Sequence, residues 1–450
     1  MTVTGAPHAA RDPGRPPRIP RLITGSAPVS LAEHLDRYGP PPLRADRPAA
    51  GRAVTGLIDE IDRAGLTGRG GAGFPAARKM RAVADAASRG GTFSSVGAVV
   101  IANGAESEPA SWKDRLLLSR APHLVLDGVA LAAEAVGASR AYLCVHAGPV
   151  GPAAGPLRDA IASRDRAGLN RVPVQLAEIP GGYVTSQETA LVGFLNGGPA
   201  RPAFVPPRPA QRGAHRRPTL VQNVETLAHA ALIARYGADW FRAAGTAAFP
   251  GTALMSVGGA VRRPGVYEAA LGTTLASLLQ RAGGPAEAPA AVLAGGYFGG
   301  WLPLPAAQHI PLSDEALRPA GASLGPGVLV LLPESSCGLA ETARAVRYLA
   351  SQSAGQCGPC SNGLPALAEA MEWIAYGRAG AADGLSWAQQ LLRLVSGRGA
   401  CHLPDGTASM AASALRVFGA DLLRHLTRGP CQRVSRAGVL PVPRPPAGAS

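Results

Sequence analysis

An alternation of short apolar strands with helices constrains the fold of this chain more than any other feature. Strands are predicted at 97–102, 141–146 and 172–179, and helical patterns at 122–136 and 152–165 lie between them. Two strands joined by a helical crossover run parallel in one sheet. The region therefore predicts an α/β fold with a parallel sheet. Ligands of such sheets bind at the carboxyl ends of the strands.

The pattern changes twice after this region. From residue 252 short strands surround one helix at 274–282, which predicts a small α+β module, and helical patterns between 341 and 426 predict a bundle. An apolar share of 46% against 16% charged residues excludes a disordered chain. No apolar run reaches the roughly 18 residues of a membrane span, so no membrane insertion is expected. Six cysteines in 450 residues are no disulfide framework, and a cytoplasmic location is expected.

The formal net charge of +14 restricts the partners of the chain. The arginines are scattered and aromatic residues make up only 5%, so there is no basic–aromatic stripe for stacking bases. We expect no nucleic-acid partner; an acidic protein partner, or solubility alone, explains the charge better. Only two basic residues, Lys79 and Lys113, are lysines, and both lie in motif-like segments. Because lysine and arginine differ in donor geometry, these two positions indicate specific roles.

The first candidate binding segment is the glycine-rich sequence GRGGAG at 68–73. It contains G-x-G-x-x-G but follows a helix, so it lacks the context of the usual dinucleotide fingerprint. Its glycines would let backbone approach a ligand closely, and a helix starting near Ala76 would offer N–H groups to a phosphate. Phe74 could stack on a planar ring and Lys79 could supply a cation. A glycine-rich connector explains the segment equally well.

Two carboxylates follow the strand at 97–102. Glu106 and Glu108 lie in the turn that begins at Asn103. This turn is at the carboxyl end of a parallel strand, where open α/β sheets bind ligands. The pair could hold ribose hydroxyls or an amide, whereas the alternative is a solvated acidic turn. The position favours binding.

Three cysteines have the spacing of metal ligands. Cys357 and Cys360 form a C-x-x-C before a predicted helix, and Cys401 follows in the same helical region. Thiolates at this spacing can bind one metal ion or one cluster. The three cysteines therefore indicate an iron–sulfur cluster or, with His402, a zinc site. Redox dithiol chemistry is a further alternative, although the pair has no thioredoxin-like βαβ context.

The other cysteines and histidines carry no such signal. Cys144 lies in a predicted strand and is expected to be a buried apolar residue. Cys337 and Cys431 have no ligand spacing, so a structural or an incidental role is expected for both. No histidines have H-x-x-H or H-E-x-x-H spacing, and a satisfied or exposed side chain is expected at each except His402.

Four ordered segments together resemble the NADH-binding flavoprotein of respiratory complex I, the F-type component of the NADH:quinone oxidoreductase family, and its relatives in hydrogenases and formate dehydrogenases. They are LTGRGGAGFP at 66–75 with Lys79, NGAESEPASWKDR at 103–115, GYVTSQETAL at 182–191 and RPTLVQNVETL at 217–227. The likeness runs from about Leu57 to His425. It implies a Rossmann-like flavin/NADH domain, then a β-grasp (SLBB) domain, then a helical bundle that binds an iron–sulfur cluster. The implied cofactors are FMN, NADH and a 4Fe–4S cluster.

The resemblance also implies individual site residues. Contacts to FMN or NADH are implied for Gly68, Arg69, Gly70, Gly71, Gly73, Phe74, Lys79, Asn103, Tyr183, Glu188, Asn223 and Thr226. The implied catalytic side chains are Glu106 and Glu108. The implied cluster ligands are Cys357, Cys360 and Cys401.

The chain departs from the family pattern at several of these sites. Ala354 stands where the family has its first cluster cysteine, and alanine cannot ligate iron. Ala105 stands for a flavin-side aspartate and Gln187 for a glutamate, which removes negative charge near the flavin. Gln222 and Val205 replace an asparagine and a lysine. Because fixed charge near the ring tunes the flavin potential, altered chemistry or altered nucleotide preference is expected.

The resulting hypothesis is a flavoprotein that oxidises NADH and passes electrons through the cluster to an acceptor protein such as a ferredoxin. Membership of a multisubunit complex fits the resemblance. A diverged, non-catalytic scaffold is the main alternative, and a zinc-binding protein is a lesser one. The predicted divisions are a flexible basic arm, the FMN/NADH domain, the SLBB domain, the iron–sulfur bundle and a disordered tail, at 1–20, 21–246, 247–335, 336–430 and 431–450.

Overall fold

The computed structural model describes residues 21–43, 56–89, 97–148, 151–377, 380–436 and 438–443. The arm predicted for 1–20 lies outside these residues. The first part of the chain contains helices α1 (Leu31–Tyr38), α2 (Leu57–Ala64), α3 (Ala76–Arg89), α4 (Lys113–Arg120), α5 (Pro122–Ala135), α6 (Ala154–Arg166), α7 (Glu188–Leu195) and α8 (Val224–Arg242). Its strands are β1 (Ala98–Asn103), β2 (Ala138–His146), β3 (Val174–Ile179) and β4 (Thr219–Asn223).

The four strands form one parallel sheet in the order β3-β2-β1-β4. The predicted α/β fold is therefore confirmed. β1 is apolar along its length because helices cover both faces of a parallel sheet, and Val99, Val100 and Ile101 are all 0% exposed. The sequence analysis did not predict β4. Its pairing with β1 sets Asn223 directly beside Asn103 at the carboxyl edge.

A second, mixed sheet follows. Its elements are β5 (Thr252–Gly259), β6 (Gly265–Ala270), α9 (Leu275–Arg281), β7 (Pro289–Ala294), β8 (Gly300–Pro303), α10 (Asp314–Leu317) and β9 (Val328–Pro333). The order is β6-β5-β9-β7-β8, with β5 and β9 parallel and the other pairs antiparallel. Thr274 starts α9, and its hydroxyl accepts the N–H of Ser277 at 3.3 Å. This is the predicted α+β module with one additional strand, β8.

The C-terminal helices are α11 (Gly338–Ser351), α12 (Leu364–Tyr376), α13 (Ala381–Val395), α14 (Leu403–Val417) and α15 (Gly419–Arg428). They pack against one face of the second sheet. Trp301 of β8 is fully buried between the two, and its indole N–H donates to Thr342 Oγ1 at 2.9 Å. The predicted bundle is present, and the predicted boundaries near 246 and 335 fall in connections between elements.

The tail differs from the prediction of disorder for 431–450 in the part that the structure describes. Cys431 and Leu440 are each 1% exposed. The backbone N–H groups of Val439 and Leu440 donate to Glu341 Oε2 at 3.0 and 2.8 Å. A buried carboxylate on α11 thus orders a segment whose proline content suggested disorder. Residues 437 and 444–450 lie outside the described part.

Within the described ranges, no single helix has the length and hydropathy of a membrane-spanning segment. Helices α4 and α5 reach that length and hydropathy only when they are taken together, and the chain bends by 95° between them.

Candidate functional site

Two asparagines meet at the carboxyl edge of the parallel sheet. Asn103 ends β1, and its Nδ2 donates to the Ser186 carbonyl at 2.9 Å. Asn223 ends β4 and starts α8, with its Oδ1 accepting the N–H of Glu225 at 3.0 Å. Its Nδ2 donates to Asp114 Oδ2 at 2.7 Å and lies 3.4 Å from the Asn103 carbonyl. The two side chains therefore join the sheet edge to the segment at Ser186 and to the start of α4.

The glycine-rich loop lies over this edge. The N–H of Gly68 donates to the Phe74 carbonyl at 2.8 Å, which closes the loop before α3 begins at Ala76. A Cβ on Gly70 would lie 3.3 Å from the Asn223 side chain, a tight contact that a larger residue could make only if Asn223 shifted. The N–H of Arg69 donates to Thr226 Oγ1 at 2.9 Å. The predicted residues of the loop, β4 and α8 are thus brought together.

Phe74 and Lys79 both lie at the end of this loop. Phe74 is 43% exposed, so its ring is accessible beside the loop. Lys79, on the first turn of α3, forms an ion pair with Glu188 at 2.6 Å. Glu188 begins α7, whose preceding residue Gln187 accepts the N–H groups of Thr189 and Ala190. Gln187 therefore caps α7, a task that the family's glutamate could also perform.

Arg69 provides the test of whether an anionic cofactor fits. Its side chain is 7% exposed, and Nε and one terminal nitrogen have no hydrogen-bond partner among the described residues. The guanidinium lines a cavity of about 750 Å³ between the glycine loop and segment 313–327. Unpaired buried donors are costly unless a ligand satisfies them. The unpaired donors of Arg69 therefore fit an anionic, phosphate-bearing cofactor such as FMN. The cavity includes Gly68 and Gly73 but is not lined by Lys79, Asn103 or Asn223.

Lys113 is the centre of a buried charge network beneath the edge. Its side chain is 1% exposed and pairs with Asp114 at 2.7 Å and Glu225 at 2.9 Å. Burial alone would lower the pKa of Lys113, but the two carboxylates raise it. Burial likewise favours the neutral form of Glu225, yet Lys113, with His229 and Arg69, lowers the pKa of Glu225 to about 2. Sequence reasoning singled out Lys113 as a lysine but not Glu225 as its partner.

The structure gives Glu106 a local partner set. Its Oε1 accepts the N–H of Asp114 at 3.2 Å, and its Oε2 accepts the N–H of Arg115 at 3.2 Å. The carboxylate thus satisfies amides in the first turn of α4, where a negative charge is favourable. A catalytic role for Glu106 stays a prediction.

Glu108 lies at the junction of all three parts of the chain. Tyr183 donates its hydroxyl to Glu108 Oε2 at 2.8 Å, and the N–H of Tyr297 donates to the same oxygen at 2.9 Å. The Tyr183 and Tyr297 rings stack, and the ring of Tyr348 on α11 meets both edge-on. Burial raises the pKa of Glu108 to about 7, against the lowering effect of its hydrogen bonds.

Glu108→Gln tests this pKa. Because the folded-state pKa lies near 7 and the unfolded one near 4.5, the folded chain binds the extra proton between these values. The stability of the wild type should therefore fall by about 3 kcal/mol as pH rises from 4.5 to above 7, at about 1.4 kcal/mol per unit. The glutamine variant should lack this fall. Urea unfolding at pH 5 and pH 8 measures it, and equal pH slopes for both chains would contradict the assignment.

Three polar residues near the edge were missed by sequence reasoning. Ser107 donates to Ser186 Oγ at 2.7 Å and lies 3.1 Å from His146 Nε2. His146 ends β2, and burial lowers its pKa. The sequence did offer a signal for His146, because it lies at the carboxyl end of a parallel strand, as Asn103 does.

The three predicted cluster ligands converge between the start of α12 and the start of α14. Cys360 is buried and Cys357 and Cys401 are partly buried. The backbone N–H groups of Ala400 and Cys360 lower the pKa of the Cys357 thiol despite its burial. N–H donors aimed at ligand sulfurs are typical of iron–sulfur sites, where they also set the potential. The donor set therefore fits an iron–sulfur cluster.

The fourth ligand position differs from the family pattern. Ala354 lies in the loop before Cys357, and the adjacent Ser353 hydrogen-bonds to the Cys360 thiol. The alternative zinc ligand His402 is 90% exposed and lies 4.0 Å from Asp405. The structure does not bring His402 into the cysteine group.

Comparison with known proteins agrees with this arrangement. Residues 61–231 match the family profile described as Nuo51 FMN-binding domain, residues 255–297 match the SLBB domain, and residues 340–425 match the NADH-ubiquinone oxidoreductase-F iron-sulfur binding region. These matches confirm the FMN and iron–sulfur predictions at the level of domains.

Relatives cover most of the chain. The second F-type NADH-quinone oxidoreductase chain of Rhizobium meliloti is 32% identical over 378 residues, 81% of this chain and 87% of that protein. The corresponding NADH-quinone oxidoreductase chain of Mycobacterium tuberculosis is 34% identical over 386 residues, 82% of this chain and 84% of that protein. A chain of the NAD+-reducing [NiFe]-hydrogenase in the H2-reduced state superposes with a TM-score of 0.73 at 33% identity, covering 84% of this chain and 63% of that one. The chain belongs to the F-type family of NADH-quinone oxidoreductase subunits.

Proposed function

We propose that this chain is the NADH-oxidising subunit of a multisubunit oxidoreductase, with FMN at the sheet edge and an iron–sulfur cluster at Cys357, Cys360 and Cys401. One observation carries the proposal. Tyr183 donates its hydroxyl to Glu108 and its backbone N–H to Gln352 Oε1 at 3.1 Å. Gln352 directly precedes the loop of the cysteines. A single residue therefore links Glu108, in the turn after β1, to the segment that leads to the cysteines, which supports two neighbouring cofactor sites.

The residues of the chain bind and orient. The glycine loop would bring backbone close to a ligand. Lys79, Asn103 and Asn223 are held in place beside it by their hydrogen bonds to Glu188, Ser186 and Asp114. Phe74 offers an exposed ring for stacking against the nicotinamide nucleotide. When bound, FMN would supply the conversion between a two-electron hydride donor and one-electron acceptors.

The family's acidic positions near the flavin are neutral in this chain. Ala105 is 6% exposed and packs in the apolar cluster behind the edge, and Gln187 caps α7. Fewer negative charges near the ring make electron acceptance by the flavin easier. We propose a flavin potential higher than that of relatives with both acids.

The acceptor is proposed to be an acidic electron-transfer protein such as a ferredoxin. A net charge of +14 steers acidic partners towards this chain, so its rate of reduction of an acidic acceptor should fall steeply with salt. The scaffold alternative rests on Ala354 and on the four site substitutions at 105, 187, 205 and 222.

The test is an anaerobic titration with NADH of the chain reconstituted with FMN, iron and sulfide. The flavin absorbance should bleach, and the cluster should then be reduced. Lys79→Met should weaken FMN binding about 10- to 100-fold, since a hydrogen bond from a charged group contributes about 1.5–3 kcal/mol. Arg89→Met is the matched control, because Arg89 lies on the same helix and is 79% exposed.

Cys401→Ala distinguishes the two sites in that titration. This variant should still bleach with NADH but should leave no cluster to reduce. A wild-type chain that binds FMN and does not bleach with NADH would favour the scaffold alternative.

A further inference from the structure

A second group of soft ligands lies outside the predicted cluster site. Cys337 precedes α11, His425 is on the last turn of α15, and Cys431 follows that helix. Their ligand atoms, two Sγ and one imidazole nitrogen, all lie within 4.8 Å of one another. The three residues are 2%, 2% and 1% exposed. No sequence spacing indicated this group; the sequence predicted only structural or incidental roles for Cys337 and Cys431, and the structure places both beside His425.

The histidine is oriented as a metal ligand would be. His425 Nδ1 lies 3.0 Å from the Ile374 carbonyl, so Nδ1 carries the proton and Nε2 presents its lone pair. Nε2 lies 3.9 Å from Cys337 Sγ. Metal-binding histidines usually donate the other ring N–H to a carbonyl or carboxylate in this way.

We propose that Cys337, His425 and Cys431 bind one Zn²⁺ ion, separately from the group Cys357, Cys360 and Cys401. Thiolate and imidazole are the ligands that zinc prefers, with Zn–S near 2.3 Å and Zn–N near 2.0–2.1 Å. Ligand atoms on a tetrahedral ion with these bonds lie about 3.6–3.8 Å apart, close to the observed 3.9 Å. Water supplies the fourth ligand.

Binding requires two local exchanges. The two thiols lose their protons, so the bound ion and the two thiolates together are neutral. Without the ion, the Cys431 N–H donates to His425 Nε2 at 3.1 Å. This hydrogen bond breaks on binding, and the Nε2 lone pair then binds the ion. Arg433 hydrogen-bonds to Cys431, and Asp421 pairs with Arg433 and balances its charge.

The consequence of binding would be structural. The three ligands come from the start of α11, the end of α15 and the segment after it. That segment continues to Val439 and Leu440, which donate to Glu341 on α11. An ion at this place would fasten the C-terminal segment to the first helix of the bundle, and its binding free energy would add to the stability of the fold.

The experiment uses the full chain, reduced and stripped of metal, titrated with Zn²⁺ against a chromophoric chelator. Because cysteine thiolates in general bind zinc, the background chain carries serine at Cys357, Cys360 and Cys401. This background should bind one zinc per chain, and adding Cys431→Ser should abolish that binding. Cys144→Ser is the matched control, a buried cysteine outside both groups, and should keep it.

Two further measurements distinguish the loss of a metal ligand from a variant that fails to fold. In the wild-type chain, added zinc should slow alkylation of both Cys337 and Cys431, measured by mass spectrometry. Co²⁺ bound to the background chain should show the absorption of a tetrahedral thiolate site. Alkylation of these two cysteines at rates independent of zinc, or a background chain that binds no metal, would overturn the proposal. So would a Cys337–Cys431 disulfide that forms in place of metal binding under mild oxidation.

Discussion

Lys113→Met is expected to lower the free energy of unfolding by about 3–5 kcal/mol, the usual cost of removing one partner from a buried ion pair. Lys113 is 1% exposed and neutralises Asp114 and Glu225, which are 7% and 1% exposed at their side chains. Without the ammonium, both carboxylates would be buried with no cation paired to them at these distances. Urea or guanidinium unfolding at pH 7 measures the loss.

The network around Lys113 explains why its effect should extend across the chain. Asp114 accepts from Asn223 at the sheet edge, and Glu225 Oε1 accepts the N–H of Leu254 in the second sheet at 2.9 Å. Lys113→Met should therefore loosen the contact between the two sheets as well as the candidate cofactor site. Protection of the Leu254 amide from hydrogen exchange should fall.

Two matched variants make this prediction specific. Combining Lys113→Met with Asp114→Asn and Glu225→Gln removes all three charges and should recover much of the loss, since replacing a whole buried ion group is often nearly neutral. Arg63→Met removes a side chain that is 55% exposed from its ion pair with Glu60 and should cost less than about 1 kcal/mol. A loss as small for Lys113→Met as for Arg63→Met would contradict the assigned role of the network.

Ala354→Cys is expected to convert the cysteine group into a complete four-ligand set. Ala354 lies next to Ser353, which hydrogen-bonds to the Cys360 thiol, so the new sulfur would enter the same group. A four-iron cluster with three cysteine ligands has one labile iron. The variant should therefore retain more iron after reconstitution and should resist conversion to a three-iron form on air oxidation. Iron and sulfide analysis with low-temperature EPR measures both effects.

Ser351→Cys is the control for this variant. Ser351 is exposed at the end of α11, so its replacement adds a cysteine nearby without completing the set. It should leave the iron content and the EPR signal unchanged. If Ala354→Cys behaves like Ser351→Cys, then either Ser353 or an exogenous group already supplies the fourth ligand, and the three-ligand description is wrong.

The fold was predictable to the extent that its signals are local. The apolar run of β1 and the alternation with helices identified a parallel sheet, because a buried strand and an amphipathic helix differ in period over a few residues. β4 is short and has only two apolar residues, Leu220 and Val221, and its place beside β1 depends on a crossover that no local pattern encodes. The packing of the tail on Glu341 was missed for the same reason.

The candidate site divides in the same way. The ordered motifs pointed to Lys79, Asn103 and Asn223, which the structure brings to one edge and one loop. The sequence did not indicate the partners of the other buried charges. Glu225 pairs with Lys113 but lies far along the chain from it. Tyr297, between β7 and β8, donates its N–H to Glu108.

By itself the sequence determined the α/β class, the glycine loop and the three cysteines, since each depends on residue types and spacings within a short segment. Only the tertiary structure decided which distant residues share an environment. It raised the pKa of Glu108 to about 7 by burying it, paired Lys113 with Glu225, and brought Cys337, His425 and Cys431 together. Burial and through-space proximity come from the packing of whole elements, which short-range spacing does not encode.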